Sequence, residues 1–210
     1  LEEYDPNVIF TSNKYYQDLL KKKSKFKNTK ILCLGREAVK KVNYSEFSSK
    51  KNILVLPEGI LSECLYLFSS SYKVALKNRN LNFIWRIHPV LDWKEILQSL
   101  NIKNLPSNIK ISKDTLINDI KKSKFCLYRG SGAIVEALRN SVIPIYLKNT
   151  NDLETIDPLF KYNKNIIKSD KDLLKFINKY KNKEKHMSQI KKFEKFLNNF
   201  YQEITSDLFK

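Results

Sequence analysis

The segment Gly130-Ser131-Gly132-Ala133 has the residue types and spacing that best suit binding of an anion. It leads directly into a helical pattern over residues 133–139, and Ser131 is a residue type that caps helix N-termini. Free N–H groups in a first helical turn attract anions, and the two glycines leave room for a phosphate to approach the backbone. The sequence therefore predicts a phosphate site here, with a capped helix that binds no ligand as the alternative.

This segment differs from the two common glycine-containing phosphate motifs. No Gly-Lys-Ser/Thr follows it, as it would in a P-loop. Position 135 is valine, and the segment does not follow the first strand of its unit, so the Gly-x-Gly-x-x-Gly dinucleotide fingerprint is not present either. The pattern thus indicates a phosphate site outside these two classes.

Four further side chains could contact the same ligand. His88 follows an apolar run, Pro89 fixes the loop behind it, and a histidine there can donate a hydrogen bond to a departing phosphate. Arg86 and Arg129 are two of only five arginines among 39 basic residues, and arginine binds phosphate or carboxylate in bidentate fashion. Glu136, one turn into the helix, can reach ribose hydroxyls. The alternatives are a structural histidine, two surface arginines, and a glutamate that stabilises the helix N-terminus.

These residues sit on a regular alternation of apolar runs and helical patterns. The runs are continuous, which is typical of strands covered on both faces, and the alternation predicts a doubly wound Rossmann-like parallel sheet. The predicted strands are 53–56, 83–87, 109–111, 125–128, 142–147 and 166–167. The predicted helices are 61–77, 93–100, 116–122, 133–139 and 173–180.

The polar motifs follow the first, second and fourth of these strands. Glu58-Gly59 follows the first strand, His88-Pro89 the second, and the segment from Gly130 to Ala133 the fourth. In the common strand order 3-2-1-4-5-6, these three strands are neighbours and the order reverses between strands 1 and 4. We therefore expect all three motifs to line one crevice at the carboxyl edge of the sheet.

The pattern divides the chain into four parts. Residues 1–35 form a lone βαβ unit, which we expect to be the end of a truncated preceding Rossmann-like domain. Residues 36–51 are polar without a clear period and predict a linker, and residues 52–184 form the main domain. Residues 185–210 carry apolar residues at three- and four-residue spacing, which predicts one long amphipathic helix. The elements predicted in the first part are strands at 8–11 and 30–34 and a helix at 15–22.

Composition narrows the function further. The formal charge of +17 comes mainly from lysines spread along the chain, which favours a solvated basic surface. The alternatives are an anionic membrane surface, with peripheral contact, and nucleic acid, and of these we do not expect nucleic acid as the partner. The three cysteines lie in apolar runs without metal-like spacing, so we expect reduced thiols and no metal site.

The sequence has neither an apolar run long enough to span a membrane nor a signal peptide, so we expect a cytoplasmic protein, at most at the inner face of the membrane. His186, in the lysine-rich tail, is expected to be exposed.

The motifs also resemble a known family. Residues 129–138, followed by Ile143-Pro144-Ile145-Tyr146, resemble the donor-site signature of glycosyltransferases with two Rossmann-like domains, the GT-B fold. His88-Pro89 resembles the His-Pro motif of bacterial sialyl-, polysialyl- and Kdo-transferases and of related capsule and cell-wall polymerases. The resemblance covers about residues 52–160. It implies the carboxyl-terminal, donor-binding half of such an enzyme, with phosphates at the glycine-containing segment, ribose at Glu136 and His88 assisting departure of the nucleotide phosphate.

One motif of those transferases does not carry over. Their catalytic base lies in an acidic-acidic-Gly motif, which Pro57-Glu58-Gly59 resembles superficially. That motif belongs well upstream, in the other domain, whereas Glu58 follows the first strand of the main domain. The resemblance therefore implies a base in a preceding domain, and Glu58 and Gly59 are predicted only to bind substrate.

Together these observations predict a nucleotide-sugar-dependent glycosyltransferase of bacterial surface-polysaccharide biosynthesis. Its donor would be a CMP-, CDP- or UDP-linked sugar, its acceptor a carbohydrate or a lipid-linked carbohydrate, and it would need no separate cofactor. One alternative is a nucleotide-sugar 2-epimerase of the same fold. Another is a non-enzymatic basic module that binds nucleic acid or an anionic membrane, which would require lysines clustered on one face and would not need His88 or Glu136. The predicted catalytic residue is His88, and the predicted substrate-binding residues are Glu58, Gly59, Arg86, Arg129, Gly130, Ser131, Gly132, Ala133 and Glu136.

Overall fold

The computed structural model describes residues 5–35, 50–149, 157–159, 162, 165–200 and 203–204. The chain divides into two compact units. The smaller unit comprises Leu1–Val42 and Phe193–Lys210, and the larger unit comprises Asn43–Lys192. Most of the predicted linker, residues 36–49, lies outside the described residues.

The smaller unit contains the βαβ element predicted near the start of the chain. Strand β1 (Val8–Thr11) pairs in parallel with β2 (Lys30–Cys33), and helix α1 (Lys14–Lys23) connects them. Asn13 caps α1 because its side chain accepts a hydrogen bond from the N–H of Tyr16. The ring of Tyr15 packs edge-on against Phe196 at 5.8 Å, so the later segment of this unit covers the helix.

The larger unit is a six-stranded parallel sheet with helices between its strands, as predicted. The strand order is β5-β4-β3-β6-β7-β8, which corresponds to the doubly wound order 3-2-1-4-5-6. The strands are β3 (Asn52–Leu56), β4 (Asn82–Trp85), β5 (Ile109–Ile111), β6 (Ser123–Tyr128), β7 (Ile143–Leu147) and β8 (Ile166–Ile167). The helices are α2 (Leu61–Lys77), α3 (Trp93–Ser99), α4 (Leu116–Lys122), α5 (Ile134–Arg139), α6 (Asp170–Tyr180) and α7 (Lys183–Lys191).

The core of this sheet explains why its strands read as continuous apolar runs. Residues 53–56 of β3 and all of β7 are buried, because helices cover both faces of the sheet. Trp85 of β4 stacks on Phe68 of α2 with ring centroids 4.5 Å apart, and Trp93 stacks on Trp85 at 6.3 Å. This packing fixes the first two strands of the unit, whose carboxyl ends bear two of the polar motifs.

The end of the chain differs from the single helix predicted over residues 185–210. The described residues form α7 and a separate helix, α8 (Glu194–Phe200), interrupted at residues 192–193, and the two helices belong to different compact units. Three- and four-residue spacing can persist through such a break because each helix keeps its own apolar face. The spacing therefore predicts which residues are buried but not where the helix is interrupted.

Two basic side chains close the carboxyl end of α5. His186 was expected to be exposed, yet it is only 1% accessible, and its Nε2–H donates to the carbonyl of Ser141 at 2.8 Å. Lys50, assigned to the linker, is also buried and donates to the carbonyl of Asn140. These carbonyls belong to the C-cap residue of α5 and to the residue after it, so the two side chains provide donors to buried backbone acceptors in the turn that ends the helix. Burial, reinforced by Lys50 and Lys124, lowers the pKa of His186 to about 4 against the Ser141 hydrogen bond, and burial lowers the pKa of Lys50 to about 8.

His186 should make the stability of the larger unit depend on pH. Its pKa is about 4 in the folded protein and 6.5 when unperturbed, so between these values the unfolded chain takes up a proton that the folded chain does not. Stability is therefore lost as the pH falls from 6.5 to 4, by up to about 3 kcal/mol from this group. In urea denaturation across this range, His186→Gln should show a shallower pH dependence than the wild type. An unchanged pH dependence would contradict this assignment.

Candidate functional site

The carboxyl ends of β3, β4 and β6 border a cleft of about 510 Å³. Residues 57–59, 86–89 and 130–133 line it, together with Leu56 and Leu116. The predicted convergence of the three motifs on one crevice is therefore confirmed. The ligand roles assigned to these residues remain predictions.

The segment from Gly130 to Ala133 forms a tight turn at the edge of the cleft. Gly130 has a φ of +64°, which glycine adopts without strain. The carbonyls of Ser131 and Gly132 accept hydrogen bonds from Ile134 and Val135, both at 3.2 Å. Within the described ranges, the backbone N–H groups of Gly132 and Ala133 have no acceptor. The turn thus offers two backbone donors to a ligand.

Ser131 lines this turn, but it does not cap the helix as predicted. The N-cap of α5 is Ala133, which makes no side-chain cap bond. Ser131 instead donates its N–H to the carbonyl of Arg129 at 2.7 Å and accepts from the N–H of Ile134 with its carbonyl. Because its backbone closes the turn, α5 begins two residues later than a serine cap would require.

The carboxyl group of Glu58 packs directly against Gly130. A Cβ atom at position 130 would overlap this carboxyl group, so any larger residue there would displace the end of the Glu58 side chain. Oε1 of Glu58 is buried and has no hydrogen-bond partner among the described residues. Burial and the charge of Glu63 raise the pKa of Glu58, against the opposing effects of Arg129 and His88. The cleft therefore contains an unpaired acidic group.

His88 faces the same part of the cleft from the end of β4. A Cβ atom at Gly59 would lie 3.0 Å from Nδ1 of His88 and 3.1 Å from Val90, so the imidazole packs closely on the first strand's loop. The N–H of Val90 points to Nδ1 at the long distance of 3.5 Å, which favours the tautomer with hydrogen on Nε2. Nε2 can then act as a donor to a ligand.

Arg86 lines the cleft while being held from one side. Its NH1 donates to Asp119 Oδ2 at 2.8 Å and to the carbonyl of Asp114 at 2.7 Å. Asp119 is almost fully buried and also accepts from the hydroxyl of Ser112 at 2.5 Å. In the described residues, no bond occupies the other guanidinium nitrogens of Arg86, so the cation is oriented but still able to bind an anion.

Arg129 does not reach the cleft, in contrast to its predicted role in substrate binding. It is 1% exposed, its Nε forms an ion pair with Glu63, and its NH1 donates to the carbonyl of Leu147 at 2.5 Å. The guanidinium also lies over the rings of Tyr66 and Tyr146, 5.3 and 5.6 Å from their centroids. These contacts join α2 to β6 and β7, so Arg129 stabilises the fold beneath the cleft.

Loss of Arg129 should therefore affect stability. Arg129→Ala leaves the carboxylate of Glu63 without its partner, and breaking a buried pair in this way costs about 3 kcal/mol. The matched control is Arg139→Ala, because Arg139 pairs with Glu136 in a more exposed position, where the expected cost is about 0.5 kcal/mol. Guanidinium denaturation measures both values. Equal destabilisation by the two variants would contradict the structural role of Arg129.

Glu136 is likewise absent from the lining of the cleft. Its carboxylate accepts from Arg139 Nε at 3.0 Å and from the Asn140 side chain at 3.0 Å. Residues three and four positions apart share one face of a helix, so these partners turn the carboxylate along α5. Glu136 therefore does not line the cleft between the three motifs, and its predicted contact with a ribose stays a prediction.

Sequence reasoning missed two residues around the cleft. Leu116 begins α4 and adds an apolar wall; it follows β5, so the strand-end rule used for the other motifs could have found it. Glu63 neutralises Arg129 and influences Glu58, but no local signal marks it within the amphipathic pattern of α2. In the parts of the chain that the structure describes, no group of three His, Cys, Asp or Glu residues could hold a metal ion, and no helix is long and apolar enough to cross a membrane.

Solved structures share this architecture at low sequence identity. The GtfA/B complex superposes with a TM-score of 0.63 and 9% identity over 93% of this chain and 42% of that chain. The pneumococcal O-GlcNAc transferase GtfA, in complex with UDP and GlcNAc, superposes with a TM-score of 0.50 and 14% identity over 92% of this chain and 40% of that chain. The Methanocaldococcus jannaschii UDP-GlcNAc 2-epimerase, in complex with UDP-GlcNAc and UDP, superposes with a TM-score of 0.53 and 18% identity over 91% of this chain and 60% of that chain. The fold is that of the GT-B proteins.

The comparisons extend no further than the fold. The chain spans 40 to 60% of the length of these three structures. No protein-family model and no curated protein matches the sequence. The solved structures with this architecture include both glycosyltransferases and 2-epimerases, so the likeness does not assign an activity to this chain.

Proposed function

We propose that the larger unit binds a nucleotide sugar in the cleft and that the complete protein is a glycosyltransferase. The observation that carries this proposal is the convergence of the turn 130–133, His88 and Arg86 at the switch point of the sheet. Ligands of doubly wound sheets bind at this point. The UDP named with the transferase and epimerase structures makes UDP the first nucleotide to test.

The diphosphate would bind the turn before α5. Among the described residues, no acceptor occupies the N–H groups of Gly132 and Ala133, and none has an atom within 4 Å of a Cβ atom at position 132. Backbone donors without side chains in front of them suit the close approach of a phosphate. Arg86 would bring positive charge to the same ligand from β4.

His88 would assist departure of the nucleotide. With hydrogen on Nε2, it can donate to the phosphate oxygen that gains charge as the glycosidic bond breaks. Together with Arg86 and the two backbone donors, it would stabilise the leaving group, so the proposed chemistry requires neither a metal ion nor a separate cofactor. The acceptor, a surface carbohydrate or its lipid-linked precursor, and contact with an anionic membrane remain parts of this proposal.

A 2-epimerase is the second candidate, and one feature of the cleft favours it. Epimerisation needs a carboxylate that can exchange protons next to the sugar, and Glu58 is an unpaired carboxyl group on the cleft wall. Incubating the complete protein with UDP-GlcNAc in deuterated water separates the two functions. An epimerase incorporates deuterium at C2 of the sugar without an acceptor, whereas a glycosyltransferase does not.

Calorimetric titration tests the nucleotide site itself. The chain should bind at least one of UDP, CDP, CMP and GDP with micromolar to millimolar affinity. The test variant is Arg86→Lys, which keeps the charge but loses the planar fork, and it should weaken this binding. Absence of heat with all four nucleotides, from protein with a cooperative melting transition, would count against the proposal.

A further inference from the structure

The carboxyl group of Glu58 is the one group of the cleft that the proposed phosphate binding leaves unexplained. Its Oε1 is buried without a partner among the described residues, and burial raises its pKa. An unpaired buried carboxylate oxygen is costly for a folded protein. Gly130 leaves room for this side chain, since any Cβ atom there would displace it. The fold therefore holds the carboxyl group at a place where a ligand can satisfy it.

The chemistry of the missing partner follows from the charge of Glu58. In its ionised form Glu58 only accepts hydrogen bonds, and so does an ionised phosphate, so the diphosphate cannot satisfy Oε1 of the carboxylate. Hydroxyl and amide N–H groups are suitable donors. A nucleotide sugar carries them on the transferred sugar, on the ribose and on the base.

The position of Glu58 selects the sugar among these donors. Its neighbour Gly59 packs against the imidazole of His88, and its own carboxyl group packs against Gly130. Glu58 thus lies between His88, which is proposed to donate to the leaving phosphate, and the turn 130–133, which is proposed to bind the diphosphate. The group joined to that phosphate across the bond that breaks is the sugar.

Resting on the proposed function, we propose that Glu58 determines specificity by accepting a hydrogen bond from a hydroxyl or amide N–H of the donor sugar. The same charge disfavours the free nucleotide, whose terminal phosphate carries an extra negative charge once the sugar is gone. Glu58 therefore favours the nucleotide sugar over the nucleotide product. The turn 130–133 is proposed to bind the phosphate groups, which the nucleotide and the nucleotide sugar share, so Glu58 supplies the discrimination between these two ligands.

Paired titrations test this role. Wild type, Glu58→Ala and Glu58→Gln are titrated with UDP and UDP-GlcNAc, UDP and UDP-glucose, GDP and GDP-mannose, and CMP and CMP-sialic acid. For the pair that the wild type binds, Glu58→Ala should lower the affinity for the nucleotide sugar about tenfold, which is the effect of losing one hydrogen bond to a charged group. Both variants should bind the free nucleotide as tightly as the wild type or more tightly. Glu95→Gln, on the exposed face of α3, is the matched control and should change neither affinity.

The outcomes separate this inference from the proposed function. If no nucleotide binds the wild type, the proposed function fails and Glu58 has no sugar to bind. If a nucleotide binds but Glu58→Ala lowers the affinities for the nucleotide and for its nucleotide sugar equally, Glu58 contacts the base or ribose. That result overturns the inference alone. Because the carboxyl group is unpaired, both variants should melt at or above the wild-type temperature. A lower melting temperature with an unchanged sugar preference would make Glu58 structural and would also overturn the inference.

Discussion

His88→Ala is expected to lower the turnover of the complete protein by about 10²–10³-fold, the usual effect of removing one donor to a transition state. The imidazole is half-buried at the rim of the cleft, and no described residue bonds its Nε2, which is therefore able to donate to the proposed leaving phosphate. Its removal leaves no core cavity, so the free energy of unfolding should change by less than about 1 kcal/mol. Transferase assays and denaturation of one preparation measure both quantities.

The second histidine provides the matched control. His186 is buried and bonded to the carbonyl of Ser141 outside the cleft, so His186→Ala should lower stability by about 2 kcal/mol. Its turnover per folded molecule should stay near that of the wild type. If His88→Ala showed this second pattern, with reduced stability and normal turnover, His88 would not belong to the catalytic site.

Gly132→Val is expected to weaken nucleotide binding about a hundredfold while leaving the fold intact. A Cβ atom at position 132 meets no atom of the described residues within 4 Å, so we expect the folded chain to accommodate the side chain. In the complex, its methyl groups would occupy the space of the phosphate and separate it from two backbone donors. Losing two hydrogen bonds to a charged group costs about 3 kcal/mol, which corresponds to that change in affinity. Calorimetry and thermal melting give the two readouts.

Gly130→Ala is the contrasting variant two positions away. There, a φ of +64° and overlap with the Glu58 carboxyl group oppose any side chain, so stability and binding should fall together. Wild-type nucleotide affinity in Gly132→Val would contradict the account, because the phosphate would then bind elsewhere in the cleft or outside it.

The sheet could be predicted from the sequence because its signals are local. Strands covered on both faces need continuous apolar runs, and the helices between them keep their own period. The placement of Glu58, His88 and Gly130 followed from strand order, since parallel strands end at one edge. The three polar motifs of the cleft could thus be placed from local patterns and strand order, whereas Leu116 in the same lining was missed.

The errors arose where a side chain's direction depends on a distant partner. Arg129 was assigned to the ligand, but Glu63, 66 residues earlier, and the carbonyl of Leu147 hold it in the core. His186 was expected in solvent, but the carbonyl of Ser141, 45 residues away, gives it a buried partner. The sequence around each residue carries no trace of these contacts, so residue type and spacing could not assign them.

A crystal structure of the chain soaked with UDP tests the central claim most directly. The account predicts difference density for the diphosphate over the turn 130–133, within hydrogen-bond distance of the N–H groups of Gly132 and Ala133, and within reach of His88 Nε2. Density for UDP at any other surface, with this turn left to solvent, would contradict the account.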